Sequence, residues 1–595
     1  MSSPASLLSA SRGRGGSPGH RRLRSLVGIA AAMVAMALSG CGGCQGPQKP
    51  ASAPPDVAGP PARPAANPSW FEDVTERAGI KFKLGHGSRS PLTVLETMGT
   101  GCAISDFDGD GHADLFFVGE TGTESQGRCA LYRNNGDGTF TDVTAGSGLQ
   151  APGMYMGCAV ADLNNDGLPD LIVSGYGVVR VYQNLGHFKF KDVTAGSGLA
   201  SPSPTAWATS IAVGDYDRDG LVDVYIGRYV KFDTADPHIM QFCSYGAVKA
   251  SCGPNFYDAQ QGSLYHNVGG FKFKDVTVPM GLDTAHGKCL AAAFCDVNGD
   301  GWPDLYLGND EMDGDLFVSQ KGKRFNNVGL ESAVALSSGG KVQGAMGVDF
   351  GDFNGDGWMD LIVTTFEAEP DSLYGGTASG QFTHEGRNTG IDIATTYSVG
   401  FGVKFADFDN DGRLDLAITN GHIHDNEELV DKLRHYRQPM QLFMQELSPQ
   451  QKPMFVDHAA DGGPGFTEPA VGRGLAVGDL NNDGLLDLVV VDLEGRPRVL
   501  MNRMPHPGAW LTVKLRGTRS NRQGLGSRVT VTAGGRKWIA EATTGGSYLS
   551  ASDPRVHFGL GAVAKIDKLE VSWPSGKHSQ IAAPSLSREI EVKEP

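Results

Sequence analysis

Several features that would place this chain in a common functional class are missing from its 595 residues. No apolar run reaches the roughly 18 residues that a membrane-spanning helix needs. The formal charge of −16 comes with no basic stripe, so we expect no nucleic-acid partner. Beyond residue 40 the chain contains neither a Gly-x-Ser-x-Gly elbow, nor a His-Glu-x-x-His motif, nor a P-loop. These absences remove the usual sequence evidence for a serine hydrolase, a metalloprotease or a nucleotide-binding enzyme.

What the chain does have is 83 Gly and one nine-residue phrase, Asp-x-(Asp/Asn)-x-Asp-Gly-x-x-Asp, written seven times. Oxygen ligands at positions 1, 3 and 5, followed by a Gly that permits a sharp turn, are typical of loops that bind calcium. The predicted metal ligands, at positions 1, 3, 5 and 9, are Asp106, Asp108, Asp110 and Asp114; Asp162, Asn164, Asp166 and Asp170; Asp215, Asp217, Asp219 and Asp223; Asp296, Asn298, Asp300 and Asp304; Asp352, Asn354, Asp356 and Asp360; Asp407, Asp409, Asp411 and Asp415; and Asp479, Asn481, Asp483 and Asp487.

The alternative interpretation of these phrases is that Asp, Asn and Gly simply favour tight turns. The acid at position 9 argues against it, because no turn requires an acid there. An EF-hand is excluded, since no Glu stands at position 12 and no helices flank the loops. Short apolar runs on both sides, such as residues 171–173, predict buried strands, so each motif is expected to be a metal-binding hairpin turn.

The motifs also account for much of the acidity of the chain. They contain 24 Asp residues, and a divalent ion in each loop would offset most of the net charge. We therefore expect up to seven structural Ca²⁺ ions as the cofactor, and no acidic face reserved for a cationic partner.

The N-terminal segment is predicted to direct export. Five Arg precede the apolar residues 26–38, and the sequence then reads Leu38-Ser39-Gly40-Cys41, which resembles a bacterial lipobox. Residues 1–40 are interpreted as a signal peptide, Cys41 as the lipidated residue, and 41–69, with eight Pro, as an extended tether. The alternative is an ordinary signal peptide with a chance Cys. The prediction is an exported lipoprotein, anchored in a membrane and facing the periplasm or the cell surface.

The spacing of the motifs predicts a repeat fold. Successive motifs start 56, 53, 81, 56, 55 and 72 residues apart. A strand led by Phe, as at Phe71 and Phe140, precedes each motif, and none follows the seventh. About four strands per period predict an all-β fold with a seven-bladed β-propeller over 70–505, in which the strand at Phe71 completes the last blade and closes the ring. A linear β-solenoid is the alternative.

The repeats resemble the FG-GAP/VCBS family, the repeat type of integrin α-subunit propellers, whose loop calcium is structural. Residues 506–595 alternate like half-buried strands and predict a small separate β domain. Its phrases at 521–526, 546–550, 557–561 and 573–576 resemble the ASPIC/UnbV domain. A propeller that ends in this domain is the arrangement of the cartilage acidic protein (CRTAC)-like family. That resemblance implies no defined biochemical activity.

Two insertions are the best candidates for surface contacts. The one after blade three, residues 230–262, holds Cys243 and Cys252, which are expected to form a disulfide in an oxidising compartment. The one after blade six holds His422, His424 and Asp425, which either hold a transition metal or form a solvated polar loop. Cys102 and Cys158, four residues ahead of their motifs, are expected to be buried core thiols.

Two functions fit the sequence. The first is a non-enzymatic, calcium-stabilised scaffold outside the cytoplasm that binds a protein or glycan ligand or mediates adhesion. The alternative is an extracytoplasmic hydrolase or lyase that acts on polysaccharide or lipid, with the propeller axis as its active site. A deep axial pocket lined by convergent His, Asp and Arg would favour the enzyme. No catalytic residue is assigned from the sequence.

Overall fold

The computed structural model describes residues 69–595 of the chain. The predicted signal peptide, Cys41 and nearly all of the tether lie outside these residues, and so does Cys44. Within 69–595, none of the helices has the length and apolar character needed to cross a bilayer.

Most of this region folds into four-stranded antiparallel sheets, numbered I to VII in chain order. The first strand, β1 (Phe71–Asp73), belongs to the last sheet. Sheet I contains β2 (Cys102–Ser105), β3 (Asp114–Phe117), β4 (Ala130–Asn134) and β5 (Phe140–Asp142), and sheet II contains β6 (Met154–Ala161), β7 (Asp170–Tyr176), β8 (Val178–Asn184) and β9 (Phe190–Asp192). Sheet III contains β10 (Ala208–Gly214) and β11 (Asp223–Arg228) and, after the separate hairpin β12 (Cys243–Tyr245) and β13 (Val248–Ala250), β14 (Ser263–Asn267) and β15 (Phe273–Asp275).

The remaining sheets repeat this order of strands. Sheet IV contains β16 (Cys289–Cys295), β17 (Asp304–Met312), β18 (Asp315–Ser319) and β19 (Phe325–Asn327), with β20 (Gln343–Gly344) added to β17. Sheet V contains β21 (Val348–Gly351), β22 (Asp360–Val363), β23 (Ser372–Gly376) and β24 (Phe382–His384), and sheet VI contains β25 (Gly400–Ala406), β26 (Asp415–Asn420), β27 (Gln441–Leu447) and β28 (Pro453–Asp457). Sheet VII contains β29 (Gly472–Gly478), β30 (Asp487–Asp492) and β31 (Arg498–Asn502), to which β1 adds the fourth strand.

The sheets close into a ring, as the order of the phrases predicts. Phe71 pairs with Asn502, so the first strand of the described chain completes the last sheet. The first strand of each sheet contacts the first strand of the next, and β29 returns to β2. A buried apolar cluster fills each junction between neighbouring sheets. The all-β propeller class is therefore confirmed, because both faces of every sheet are covered by a neighbour.

Within residues 69–595, helix is confined to single turns in the connections. The α-helical turns are α1 (Val94–Thr97), α2 (Gly386–Thr389), α3 (Ile391–Thr395), α4 (Ala459–Gly462) and α5 (Pro464–Thr467), and the 3-10 turns are Pro254–Phe256, Leu282–Thr284 and Glu427–Leu429.

The two insertions do not follow blades three and six, as the sequence analysis placed them. They lie inside sheets III and VI, between the second and third strands. Cys243 and Cys252 form the expected disulfide across the β12–β13 hairpin. Cys102 and Cys158 are free and buried, in agreement with the prediction of core thiols.

The C-terminal residues form two packed sheets around their own apolar core. One has the order β35-β32-β38 and the other the order β34-β33-β36-β37. Their strands are β32 (Ala509–Arg516), β33 (Arg528–Ala533), β34 (Arg536–Glu541), β35 (Val556–Gly561), β36 (Lys568–Ser572), β37 (His578–Ala582) and β38 (Arg588–Lys593). This domain also covers one face of the ring, as described below.

Candidate metal loops and the axial plug

Each of the seven motifs connects the first two strands of a sheet. Position 1 directly follows the first strand, and position 9 begins the second strand. The Gly at position 6 has φ between +83° and +96° in every loop, a backbone conformation that favours glycine. Position 4 is left-handed too, at +58° to +77°, and holds Gly or Asn in six loops and Arg218 in the other. Position 4 was not predicted from the sequence, although its Gly and Asn residues were a usable signal.

The acidic side chains of each loop are held by its own backbone. The position 1 carboxylate accepts the N–H of the position 6 Gly at 2.7–3.1 Å in all seven loops. The position 5 carboxylate accepts the N–H of position 7 at 2.9–3.0 Å. Position 3 likewise accepts the N–H of position 5 at 2.8–3.3 Å. The bonds made by positions 3 and 5 are Asx turns, and together with the bond made by position 1 they orient the carboxylates within one short loop.

The Asp at position 9 has a structural role that the sequence analysis did not foresee. One oxygen accepts the N–H of position 2, at 2.8–3.2 Å, in all seven loops. The other accepts the N–H of a residue at or near the end of the third strand, at 2.7–2.8 Å. An acid at position 9 is thus required by the sheet itself. The acid at position 9 was used above as evidence for metal binding. Its presence alone does not support that conclusion.

Position 9 places a carboxyl group in a nearly water-free environment. Burial raises the pKa of Asp114, Asp170 and Asp360 to about 8, although the backbone N–H donors oppose the shift. A nearby cation would favour the ionised form of such groups.

The donor atoms of the loops suit a hard cation, because all of them are oxygens. Oxygens of Asp106, Asp108 and Asp114 lie within 4.8 Å of one another, and loops three and six contain similar triplets, Asp215, Asp217 and Asp219, and Asp407, Asp409 and Asp415. In loop three, Oδ1 of Asp215 is buried and has no hydrogen-bond partner in the protein. The residues present therefore fit a calcium ion.

The three loops with Asp at position 3 each contact a basic side chain. Arg133 lies 3.1 Å from Asp110, His266 lies 3.1 Å from Asp223, and Arg413 pairs with Asp411. The hydrogen bond with Asp223 raises the pKa of His266 to about 9. In these three loops the additional negative charge of the Asp at position 3 is thus accompanied by a basic side chain. The loops with Asn at position 3 carry one negative charge fewer.

Amide side chains join neighbouring sheets behind the loops. Nδ2 of Asn502 donates to the carbonyl of Phe408 in the preceding sheet at 2.8 Å, and to Leu486 in its own sheet at 3.2 Å. Equivalent pairs of bonds are made by Asn134, Asn184, Asn267 and Gln445. The Asn that ends the segments Leu131-Tyr132-Arg133-Asn134 and Leu264-Tyr265-His266-Asn267 was the available sequence signal for these contacts.

The C-terminal domain covers the face of the ring where the loops lie. Trp538 donates to the carbonyl of Gly412 at 3.0 Å, and Arg555 donates to that of Asp479 at 2.8 Å. Glu541 accepts the N–H of Asp296 at 3.0 Å. The other four loops are contacted by Lys514 at Asp106, Arg522 at Asn165, Pro574 at Arg218 and Arg528 at Gly357. This domain therefore touches all seven loops.

Residues 544–553 of the same domain enter the axis of the ring. They bond to the first strands of sheets I, II, V, VI and VII through Ala551, Thr544, Ser547 and Asp553. Tyr548 is fully buried, donates to the carbonyl of Met98 at 3.0 Å and packs edge-on against Phe401. A Cβ on Gly101 would collide with the carbonyl of Leu549, so glycine is required there. We call residues 544–553 the axial plug.

A cavity of about 360 Å³ remains between the C-terminal domain and loops five to seven. Asp349 and Lys404 form a buried ion pair in its wall at 2.7 Å. Burial raises the pKa of Asp349, and Lys404 opposes the shift.

The histidines of the second insertion are not solvated, in contrast to the polar-loop interpretation. His422 and His424 are buried. Asp425, the carboxylate predicted to accompany them, instead accepts the N–H of Leu92 at 3.0 Å. Glu427 takes its place, because the 3-10 turn that begins there directs its carboxylate back to the two rings.

Comparison with known families places both parts of the chain. Residues 106–173, 162–226, 296–363 and 352–418 match the FG-GAP-like repeat, and residues 517–595 match the family described as ASPIC and UnbV. Together these matches show FG-GAP repeats followed by an ASPIC/UnbV domain, the arrangement expected from the sequence.

Among curated proteins, the chain is similar to cartilage acidic protein 1 of Mus musculus and of Homo sapiens. Each is 24% identical over 403 residues, or 65% of this chain and 55% and 53% of the two relatives. The chain thus spans about half the length of the curated relatives it matches. Among solved structures, it is similar to an Agrocybe aegerita lectin described for its recognition of non-reducing terminal N-acetylglucosamine, with a TM-score of 0.37 and 16% identity over 60% of this chain and 79% of that one. At a score this low, the likeness assigns no ligand.

Proposed function

We propose that this chain, which carries FG-GAP repeats and an ASPIC/UnbV domain and is homologous to cartilage acidic protein 1, is a calcium-stabilised scaffold that acts outside the cytoplasm. Its motif loops would hold up to seven structural Ca²⁺ ions. Its ligand would be a protein or a glycan, bound on the face opposite to the loops.

The observation that carries this proposal is the position of the C-terminal domain. It contacts all seven loops and sends the axial plug between the first strands. Loops covered in this way are suited to stabilising the ring and its attached domain. An ion there would neutralise clustered carboxylates within a covered interface.

The opposite face is where the ring offers contact surface. Because the loops join the first and second strands, the connections between second and third strands lie at the other end of each sheet. Residues 230–262 and 421–440 are such connections, and we call the surface around them the insertion face. Large apolar side chains are exposed there: Leu433 is 88% exposed, Leu429 74%, and Tyr397, just before β25, 81%. Exposed apolar groups of this kind are typical of binding surfaces.

The enzymatic alternative needed an open axis. That axis contains the plug, with Tyr548 fully buried inside it. We therefore favour the scaffold, and we assign no catalytic residue.

Export and anchoring belong to the same proposal. Cys41 would be acylated after signal cleavage and would attach the chain to a membrane that faces the periplasm or the cell surface. A Cys41→Ala variant should lose lipid labelling and leave the membrane fraction. Normal labelling and fractionation of that variant would refute the anchor.

The binding role can be tested with the full chain on a glycan array and in pull-down assays against candidate surface proteins. We expect a ligand whose binding needs calcium. The double variant Leu433→Asp, Leu429→Asp should reduce that binding at least severalfold. The matched control is Leu185→Asp, because Leu185 is also exposed, at 53%, but lies in the β8–β9 turn of sheet II. Equal loss with the control variant would place binding elsewhere.

A further inference from the structure

A second kind of cation site is built into the insertion face. His422 and His424 directly follow β26 in chain order, and Glu427 begins the 3-10 turn that comes next. Their exposed fractions are 1%, 7% and 2%. Three buried ionisable side chains gathered within six residues are costly unless they are paired or bind a ligand.

The three side chains converge on one point. Nδ1 of His424 lies 3.0 Å from Oε2 of Glu427, and Nδ1 of His422 lies 3.8 Å from the same oxygen. One ligand atom from each residue lies within 4.8 Å of the others. Two imidazole nitrogens and a carboxylate oxygen at such separations are a donor set that first-row transition metals accept.

The hydrogen bonds fix how His422 presents its ring. Its Nδ1 accepts the N–H of His424 at 3.0 Å, so this nitrogen carries the lone pair, and a metal ion bound there would take the place of that backbone donor. Nε2 lies 3.7 Å from Oε2 of Glu367, which is too long for a hydrogen bond but close enough for an electrostatic contact. A carboxylate behind the distal nitrogen of a histidine is the arrangement that orients metal-bound imidazoles.

The polar atoms of the cluster are not fully satisfied by the protein. Nε2 of His422 and Nε2 of His424 are both buried and have no hydrogen-bond partner. Buried imidazole nitrogens without a partner destabilise a protein. The site is therefore incomplete as a network of protein hydrogen bonds alone.

Neighbouring groups hold the ligands in place. Arg434 lies 3.2 Å from Glu367 and 3.4 Å from Glu427, so it fixes both carboxylates. The ring of Tyr245, from the disulfide-closed hairpin of the other insertion, packs on His424 at 4.9 Å. The site thus lies where the two insertions meet.

We propose that His422, His424 and Glu427 bind one first-row transition-metal ion, with Zn²⁺ as the best fit, and that this ion locks the two insertions together. Glu367 is a positioning residue that orients His422. The site differs in kind from the motif loops, because nitrogen donors favour zinc over calcium, whereas oxygen-only loops favour calcium. It would set the shape of the insertion face independently of the loops.

The test uses the full chain saturated with calcium, so that the motif loops are already filled. Co²⁺ is titrated and followed by its visible absorption, and Zn²⁺ is then added to displace it. We expect one Co²⁺ per chain, with absorption that His422→Gln, His424→Gln or Glu427→Gln abolishes. His435→Gln is the control, because His435 lies in the same insertion with its side chain 64% exposed.

Glu367→Gln separates a positioning role from ligation. We expect it to retain the Co²⁺ absorption and to weaken Zn²⁺ binding about 10–100-fold, as changes behind metal ligands do. Circular dichroism checks that each variant is folded. If a histidine variant does not fold, Glu427→Gln, which hardly changes the side-chain volume, decides the test. Calcium-saturated wild type without stoichiometric Co²⁺, or a folded Glu427→Gln that binds like wild type, would overturn the proposal.

Discussion

The two faces of the ring differ in how they are built. The loop face repeats one hydrogen-bonding pattern seven times and is covered by a single domain. Its loops offer a metal ion only oxygen ligands. The insertion face has no repeat. It consists of two unrelated connections that meet at a histidine cluster beside exposed apolar residues.

This difference separates stability from recognition. A geometry repeated in every sheet contributes equally around the ring, so we attribute stability to it. A surface that occurs once can be changed without disturbing the other sheets, as is usual for binding loops on repeat proteins. Substitutions on the two faces should therefore have different consequences, and the axial plug, which reaches from one face to the other, should be the most sensitive part.

The largest effect is expected from Tyr548→Ala. The side chain is fully buried between Phe401 and Met98, so its removal should lower the free energy of unfolding by about 3–5 kcal/mol. Denaturant unfolding measures this. Tyr397→Ala, at an 81% exposed tyrosine of the insertion face, is the control and should change stability by less than about 0.5 kcal/mol. Similar effects for the two variants would remove the distinction between plug and surface.

An intermediate effect is expected at position 9 of a loop. Asp360→Ala leaves the N–H groups of Phe353 and Gly376 without their acceptor, which should cost about 1–3 kcal/mol even in chelator, where no ion contributes. Asp356→Asn keeps an acceptor for its Asx turn and should reduce stability only in calcium. If Asp356→Asn were equally destabilising in chelator, position 5 would have no separate role in metal binding.

A smaller effect is expected from Asn502→Ala. The substitution removes the bond to Phe408 that joins sheets VI and VII, at about 0.5–1.5 kcal/mol, and a longer bond to Leu486 within sheet VII. Thermal unfolding of this variant is compared with that of the control Asn135→Ala. Asn135 is an exposed asparagine in the β4–β5 turn. An unchanged melting temperature would show that the junctions depend on apolar packing alone.

The repeating part of the molecule could be predicted from sequence because its signals are local. Seven phrases with one fixed internal pattern predicted the loops, the four strands per sheet and the closure by Phe71. The second role of Asp114 and its equivalents was missed, since its partner Asn134 is 20 residues away and donates through the backbone, which carries no residue-specific signal.

The non-repeating part could not be predicted in the same way. Nothing near residue 548 indicates that it will cross the ring to contact Met98, 450 residues earlier. In the histidine insertion, spacing selected Asp425, but the 3-10 turn brings Glu427 to the rings and leaves Asp425 bonded to Leu92. Contacts set by chain reversal and by distant segments have no periodic signal in the sequence.

Thermal unfolding of the full chain in calcium and in excess chelator tests the central claim most directly. Each filled site adds about 2.7 kcal/mol at an ion concentration one hundred times its Kd, so seven sites should have a large combined effect. We predict that chelation lowers the melting temperature and that added calcium restores it. Identical melting curves in calcium and chelator would contradict a calcium-stabilised ring.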